Sequence, residues 1–70
     1  GKKGTKVNLE ELSMLITDFI TTNDEGSTLK MAFLYNEKYH VGITNSSDER
    51  VLLVFDNEGN FIEEKVCNGK

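Results

Sequence analysis

One histidine and one cysteine are the only side chains in this sequence that could form a thiol–imidazole pair. A catalytic thiolate needs an imidazole beside it, a third group that orients the imidazole, and a cleft with oxyanion donors. His40 lies in the middle of a β-rich segment and Cys67 lies close to the C-terminal end, and the sequence indicates neither of the other two requirements. We therefore expect no catalytic residues, and we interpret His40 as a partly exposed side chain that could titrate inside an interface.

Metal ions, phosphate groups and proton transfer each need side-chain patterns that the sequence does not show. Asp56, Glu58 and Asn60 alternate through a turn as calcium ligands do, but the bidentate glutamate that completes such a loop does not follow. A zinc site of the Cys/His type would need a second chain, since each residue occurs once. The glycines stand apart, which gives no phosphate-binding loop, and the paired carboxylates are sequence neighbours that point apart. We expect no metal, no cofactor and no small-molecule substrate.

Length and composition describe one small domain. The chain has 70 residues, 37% hydrophobic side chains, no proline and a formal net charge of −4. Its longest apolar run, residues 51–55, is far shorter than the roughly 20 residues of a membrane-spanning helix. The acidic balance argues against a protein that wraps duplex DNA or coats an anionic membrane. A single cysteine forms no internal disulfide, which favours a reducing, cytoplasmic location.

The distribution of charge and glycine divides the chain into three parts. Lys2, Lys3 and Lys6 crowd the first six residues together with two glycines, a composition typical of a flexible arm. Residues 1–6 are therefore predicted as a basic arm, residues 7–67 as a single α+β domain, and residues 68–70 as a frayed tail.

An amphipathic helix is predicted from Asn8 to Thr21. Apolar residues recur there at three- and four-residue spacing, which is the period of one helix face. They are Leu9, Leu12, Leu15, Ile16, Phe19 and Ile20. Asn8 is expected to cap the helix while Glu11 reaches back to the Asn8 amide, and Val7 is expected to pack against Leu12.

Beyond the helix the spacing of apolar residues changes to a period of two, which indicates strands. Four segments rich in β-branched or aromatic residues are separated by turn-forming residues. They are Leu29 to Tyr35, Lys38 to Thr44, Arg50 to Phe55 and Phe61 to Val66. Gly59 is expected in the left-handed position of the last turn. The predicted fold is a two-layer α+β domain, in which the N-terminal amphipathic helix packs on one face of a four-stranded antiparallel meander sheet.

Cross-strand pairing assigns side chains to the two faces of this sheet, since opposed residues share a face. The rows expected under the helix are Tyr35, Tyr39, Phe55 and Phe61, then Phe33, Val41 and Leu53, then Met31, Ile43 and Val51. The rows expected on the opposite face are Leu34, His40, Val54 and Ile62, followed by Ala32, Gly42, Leu52 and Glu64. Lys30, Lys38, Thr44 and Arg50 surround that opposite face.

An apolar centre inside a polar rim is the general anatomy of a protein interface, so the opposite face is predicted to bind a partner. The expected apolar anchors are Leu34, Leu52, Val54 and Ile62. Lys30, Lys38, Arg50 and Glu64 are expected to fix the orientation of the partner, beside His40. Two other interpretations stay open: the arm or the tail folds over this patch, or the assigned register is shifted by one residue.

These features favour a small, non-enzymatic regulatory protein that acts by protein–protein contact, as a homodimer, an inhibitor or an accessory factor. The alternative is nucleic-acid binding through the basic rim and the N-terminal lysine arm. Sheet proteins that bind single strands stack bases on exposed aromatic rings, whereas all six aromatic residues are expected in the helix stripe or under it. That difference disfavours the nucleic-acid alternative. A subunit that contributes one side of a shared active site is a third alternative.

Overall fold

A computed structural model of the chain describes residues 4–67. The elements in chain order are β1 (Thr5–Lys6), a 3-10 helix (Leu9–Glu11), α1 (Met14–Asn23), β2 (Thr28–Tyr35), β3 (Lys38–Thr44), β4 (Arg50–Asp56) and β5 (Phe61–Cys67). The strands form one antiparallel sheet in the order β1-β2-β3-β4-β5. The α+β fold with a meander sheet is confirmed, and the sheet gains a short fifth strand because Thr5 and Lys6 pair with Leu34 and Phe33. Lys2 and Lys3 of the predicted arm and the predicted tail, residues 68–70, lie outside the described residues.

The helical region is broken where a continuous helix was predicted. Asn8 caps only the 3-10 turn, its Oδ1 accepting from the Glu10 amide at 3.1 Å. Leu12 and Ser13 are extended, with ψ of 144° and 156°. Ser13 then caps α1, its Oγ accepting from the Ile16 amide at 3.4 Å. Serine is among the strongest capping residues, which favours a helix start at this position. The extended backbone at Leu12 and Ser13 turns the Leu12 side chain inward, where it is 9% exposed.

The break changes which residues form the apolar stripe. Leu12, Ile16 and Ile20, spaced four residues apart, are buried against the sheet, and Phe19 packs partly beside them. Leu15, predicted in this stripe, is 59% exposed. Since the helix starts at Met14, its rotation is set by the Ser13 cap and not by the Asn8 cap.

The core lies between α1 and one face of the sheet, which we call the helix-side face. Its largest fully buried side chains are Ile16, Val41, Ile43, Leu53 and Phe55. Phe19 meets Phe55 edge-on at 5.4 Å and stacks on Phe61 at 4.6 Å. The predicted pairings of Tyr39 with Phe55 and of Phe55 with Phe61 are confirmed.

Strand β2 is shifted by one residue from its predicted register. Leu34 lies opposite Tyr39 and Ala32 opposite Val41, so both belong to the helix-side face, and Met31, Phe33 and Tyr35 alternate onto the other face. The cause is a two-residue turn in which Asn36 and Glu37 have φ of 55° and 63°, the mirror-image type I′ geometry that suits tight hairpins. This turn pairs Tyr35 with Lys38, and a one-residue slip exchanges the two faces of a strand.

Two irregularities adjust the sheet further. A register shift between Leu29 and Met31 returns Leu29 to the core, opposite Ile43. A second shift in the β4–β5 pairing places Glu63 opposite Val54 and Glu64 opposite Leu53. Each shift marks one extra residue, Lys30 in β2 and Ile62 in β5, that lacks a direct partner across the strand pair.

Candidate binding face

The side of the sheet turned away from α1, here called the second face, carries the residues predicted to bind. Strand alternation and the observed register assign its residues. They are Lys6 of β1; Thr28, Met31, Phe33 and Tyr35 of β2; Lys38, His40, Gly42 and Thr44 of β3; Arg50, Leu52, Val54 and Asp56 of β4; and Glu63, Lys65 and Cys67 of β5. Met31 and Tyr35 are 48% and 46% exposed, so the face is open.

The structure brings together only part of the predicted site. His40, Leu52, Lys38 and Arg50 lie on the second face as expected, and Lys30 lies at its margin in the β2 irregularity. Three placements were wrong. Leu34 and Glu64 belong to the helix-side face, and Ile62 is the extra residue of β5, because the Asn36–Glu37 turn and the β4–β5 irregularity shift the registers.

Val54 needs a separate correction. It lies on the second face, between His40 and Glu63 in the register, but only 2% of its surface is exposed. Flanking side chains therefore cover it, and a partner would not reach it. Val54 acts as a packing residue of this face and not as an exposed anchor.

The residues that replace the misplaced anchors are Met31, Phe33 and Tyr35. A hairpin signal in the sequence could have found them, because asparagine readily adopts the left-handed conformation that a two-residue turn requires. With Asn36 and Glu37 as the turn, Tyr35 must pair with Lys38. The irregularity at Lys30 has no comparable signal in the sequence.

A shallow groove of about 430 Å³ crosses the second face above Gly42. Met31 and Leu52 are the cross-strand neighbours of Gly42 on either side. A Cβ atom at Gly42 would lie 3.0 Å from Cγ of Met31, so the absence of a side chain lets Met31 pack closely on the backbone at the floor of the groove. Further lining residues are Lys30, Thr44, Arg50 and Cys67. The groove thus combines an apolar floor with two cationic side chains at its margin.

An aromatic cluster stands beside this groove. The rings of Phe33 and His40 are stacked, with centroids 4.9 Å apart and planes at 6°, and Tyr35 lies 6.1 Å from His40. On the β1 side, a Cβ atom at Gly4 would come within 2.7 Å of Cδ2 of Phe33. Phe33 is therefore held between Gly4 and His40. Within residues 4–67, Nε2 of His40 is buried and has no hydrogen-bond partner, an uncommon state for a buried polar atom.

Charge is distributed unequally between the two sides of the molecule. The five basic residues that the structure describes all lie on the second face or at its margin: Lys6, Lys30, Lys38, Arg50 and Lys65. Of the twelve acidic residues, only Asp56 and Glu63 lie on that face. A protein with a net charge of −4 therefore presents a locally basic, partly apolar surface.

Comparison with known proteins adds no relative: no protein-family model, no curated protein and no solved structure matches this chain. In the part of the chain that the structure describes, no helix has the length and apolar character needed to cross a membrane. Over the same residues, no group of three or more histidine, cysteine or acidic side chains is arranged to hold a metal ion.

Proposed function

We propose that this protein is a non-enzymatic binding protein whose second face docks an acidic segment of a partner protein. An apolar side chain of the partner would sit in the groove above Gly42, and its carboxylates would meet the surrounding lysine and arginine side chains. The observation that carries this proposal is the coincidence of an open apolar groove with all five described basic residues. Interfaces combine apolar centres with polar rims, and charge complementarity selects the partner.

The charge pattern favours a foreign partner over a second copy on this face. Face-to-face self-association would oppose two surfaces that each carry more basic than acidic side chains. Like charges at an interface are unfavourable by several kcal/mol in total. An inhibitor or accessory factor with an acidic partner therefore fits better than a homodimer through the second face. Cys67 is an exposed free thiol, which is compatible with the reducing, cytoplasmic location included in this proposal.

Single-stranded nucleic acid is the second candidate partner, and the register of β2 supports it. Phe33 and Tyr35 lie on the second face near Lys6 and Lys38, so the aromatic residues expected under the helix are in part exposed. Bases stack on accessible ring faces. Phe33 is held between Gly4 and His40, which leaves Tyr35 as the freely accessible ring. Because one accessible ring offers little surface for stacking bases, the second face favours a protein partner over single-stranded nucleic acid.

The test begins with a library of short random peptides, displayed on phage and selected on the immobilised protein. We expect enrichment of acidic sequences with one bulky apolar residue. Binding of a synthesised winner should be lost in Gly42→Val, which fills the groove with a residue that suits strands, and weakened in Arg50→Glu. Leu15→Lys is the matched control, since Leu15 is an exposed leucine on α1 and its replacement should leave binding unchanged.

A parallel titration with single-stranded DNA of mixed sequence separates the two candidates. Tight DNA binding that falls steeply with salt, is lost in Arg50→Glu and survives in Gly42→Val would establish the nucleic-acid function instead. Selected peptides without acidic residues, or peptides that bind Gly42→Val as well as the parent protein, would overturn the proposed docking of an acidic segment in the groove.

A further inference from the structure

Among residues 4–67, strand β5 forms a long edge of the sheet with no further strand beside it. It is the last strand in the sheet order, and all seven of its residues are exposed. Phe61, Ile62 and Val66 are 40%, 42% and 51% exposed. The opposite edge ends in β1, which is only two residues long. An edge strand offers unpaired backbone donors and acceptors to another strand, so a long exposed edge is a natural site of strand addition.

Symmetry restricts how two copies of such an edge can pair. Two identical antiparallel strands in one sheet are related by a two-fold axis perpendicular to the sheet, which keeps each face of the sheet on its own side. Opposed residues must share a face of the sheet, so a residue cannot pair with its own sequence neighbour in the other copy. One residue therefore lies at the axis and faces its own copy. The centre of β5 is Glu64, and pairing about this residue keeps the central stretch from Glu63 to Lys65 regular in both copies, with the irregularity at Ile62 outside it.

The register centred on Glu64 is also the one that matches the charges. It places Glu63 of each copy opposite Lys65 of the other, twice in the dimer, and brings Ile62, the extra residue of the β4–β5 irregularity, near Val66. Centring on Glu63 or on Lys65 would instead oppose Glu64 to Ile62 or to Val66. Cross-strand pairs of opposite charge and of apolar residues stabilise antiparallel sheets, whereas a carboxylate opposite an aliphatic residue does not.

We propose that two copies of this chain join antiparallel along β5, about a two-fold axis at Glu64, into one continuous sheet. Both α1 helices would lie on the same side of this sheet, and the two second faces would lie side by side on the other. Within one copy, Nζ of Lys65 and Oε2 of Glu63 are 4.0 Å apart and both side chains are more than half exposed, so both are available to a second copy. This dimer does not depend on the proposed function of the second face.

Charge reversal tests the register. Glu63→Lys makes positions 63 and 65 both positive, and Lys65→Glu makes them both negative, so each variant alone should associate about tenfold more weakly than the parent or worse. An equimolar mixture of the two variants should form a heterodimer, because each chain then meets the opposite charge. The double variant Glu63→Lys/Lys65→Glu should restore the homodimer. Sedimentation equilibrium from about 1 to 200 μM measures all four cases.

A fourth variant probes the residue on the axis. Glu64 faces its own copy, so Glu64→Gln should tighten the dimer several-fold by removing one like-charge contact. These positions are exposed, and circular dichroism should show unchanged folding in every variant. A parent protein that stays monomeric to about 200 μM would overturn the proposed dimer. Equal association of the parent and both single variants, or a mixture that fails to associate, would overturn pairing along β5.

Discussion

The two faces of the sheet share the same strands but not the same environment. Leu53 and Leu52 are neighbours in β4, yet Leu53 is fully buried under α1, whereas Leu52 is partly exposed beside the groove. The helix-side face is apolar throughout its centre, while the second face carries the groove, the aromatic cluster and most of the described basic residues. Alternation along a strand thus places the core residues on one face and leaves most of the other exposed.

Two leucines of β4, Leu53 and Leu52, should differ most in their contribution to the free energy of unfolding. Leu53→Ala should lower the free energy of unfolding by about 3 kcal/mol, because it opens a cavity in the closed core. Leu52→Ala should lower it by about 1 kcal/mol or less, because its side chain already contacts water. Urea denaturation followed by circular dichroism measures both, and equal losses would show that the two faces contribute alike to folding.

Val54 is an exception to the difference in exposure between the two faces. Although it lies on the second face, it is 2% exposed. Val54→Ala should therefore lower the free energy of unfolding by about 2 kcal/mol, from lost transfer energy and a small cavity. Urea denaturation beside Leu52→Ala provides the comparison, and a loss no larger than that of Leu52→Ala would contradict the burial of Val54.

The turn between β2 and β3 decides which residues of β2 lie on each face. Its sequence is not optimal for the positive φ angles that this turn requires. Glu37 has φ of 63°, a conformation that glycine adopts without strain and glutamate does not. Glu37→Gly should raise the free energy of unfolding by about 1 kcal/mol. Asn36→Gly is the control and should change little, since asparagine tolerates this conformation. A thermal melt that shows destabilisation by Glu37→Gly would contradict the type I′ turn.

A smaller change in stability, one that depends on pH, is expected from the turn between β4 and β5. This turn packs against the start of α1, where Gly59 lies close to Ser13 and Leu15. The Asn60 backbone N–H, aided by the Asn60 side chain and by the Glu58 and Gly59 amides, holds the pKa of Asp56 below its ordinary value of 3.8, against the opposing effect of desolvation. A lowered pKa in the folded state gives stability that is complete above the ordinary value and is lost as the pH falls through the folded value.

Acid titration of stability follows from that pKa. Between pH 7 and pH 5 the Asp56 contribution should be constant, and it should decline below about pH 4. Asp56→Asn should remove this part of the pH dependence. In the equivalent turn between β3 and β4, Oδ1 of Asn45 accepts the corresponding hydrogen bonds from Ser47 and Glu49, and an amide does not titrate there. Identical acid unfolding curves for Asp56→Asn and the parent would contradict this role.

Long-period features of the sequence predicted the fold well, and single-residue features did not. The alternating segments gave the strands of the meander because apolar periodicity is repeated over many residues. The exact start of α1 depended on which of two good capping residues caps the helix. Ser13 does so, whereas Asn8 caps the 3-10 turn. Likewise, the faces of β2 depend on one tight turn. A one-residue error in the predicted register therefore exchanged the predicted faces of Leu34 and Phe33.

The proposed function requires that the second face contacts an acidic partner while the helix-side face maintains the fold. Amide chemical shifts of the isotope-labelled protein, followed during titration with a peptide selected from the random library, test it most directly. We predict shifts concentrated at Met31, Gly42, Leu52 and Arg50, with the exposed side of α1 around Leu15 unchanged. Shifts concentrated along α1, with the residues of the groove unaffected, would contradict the proposed function.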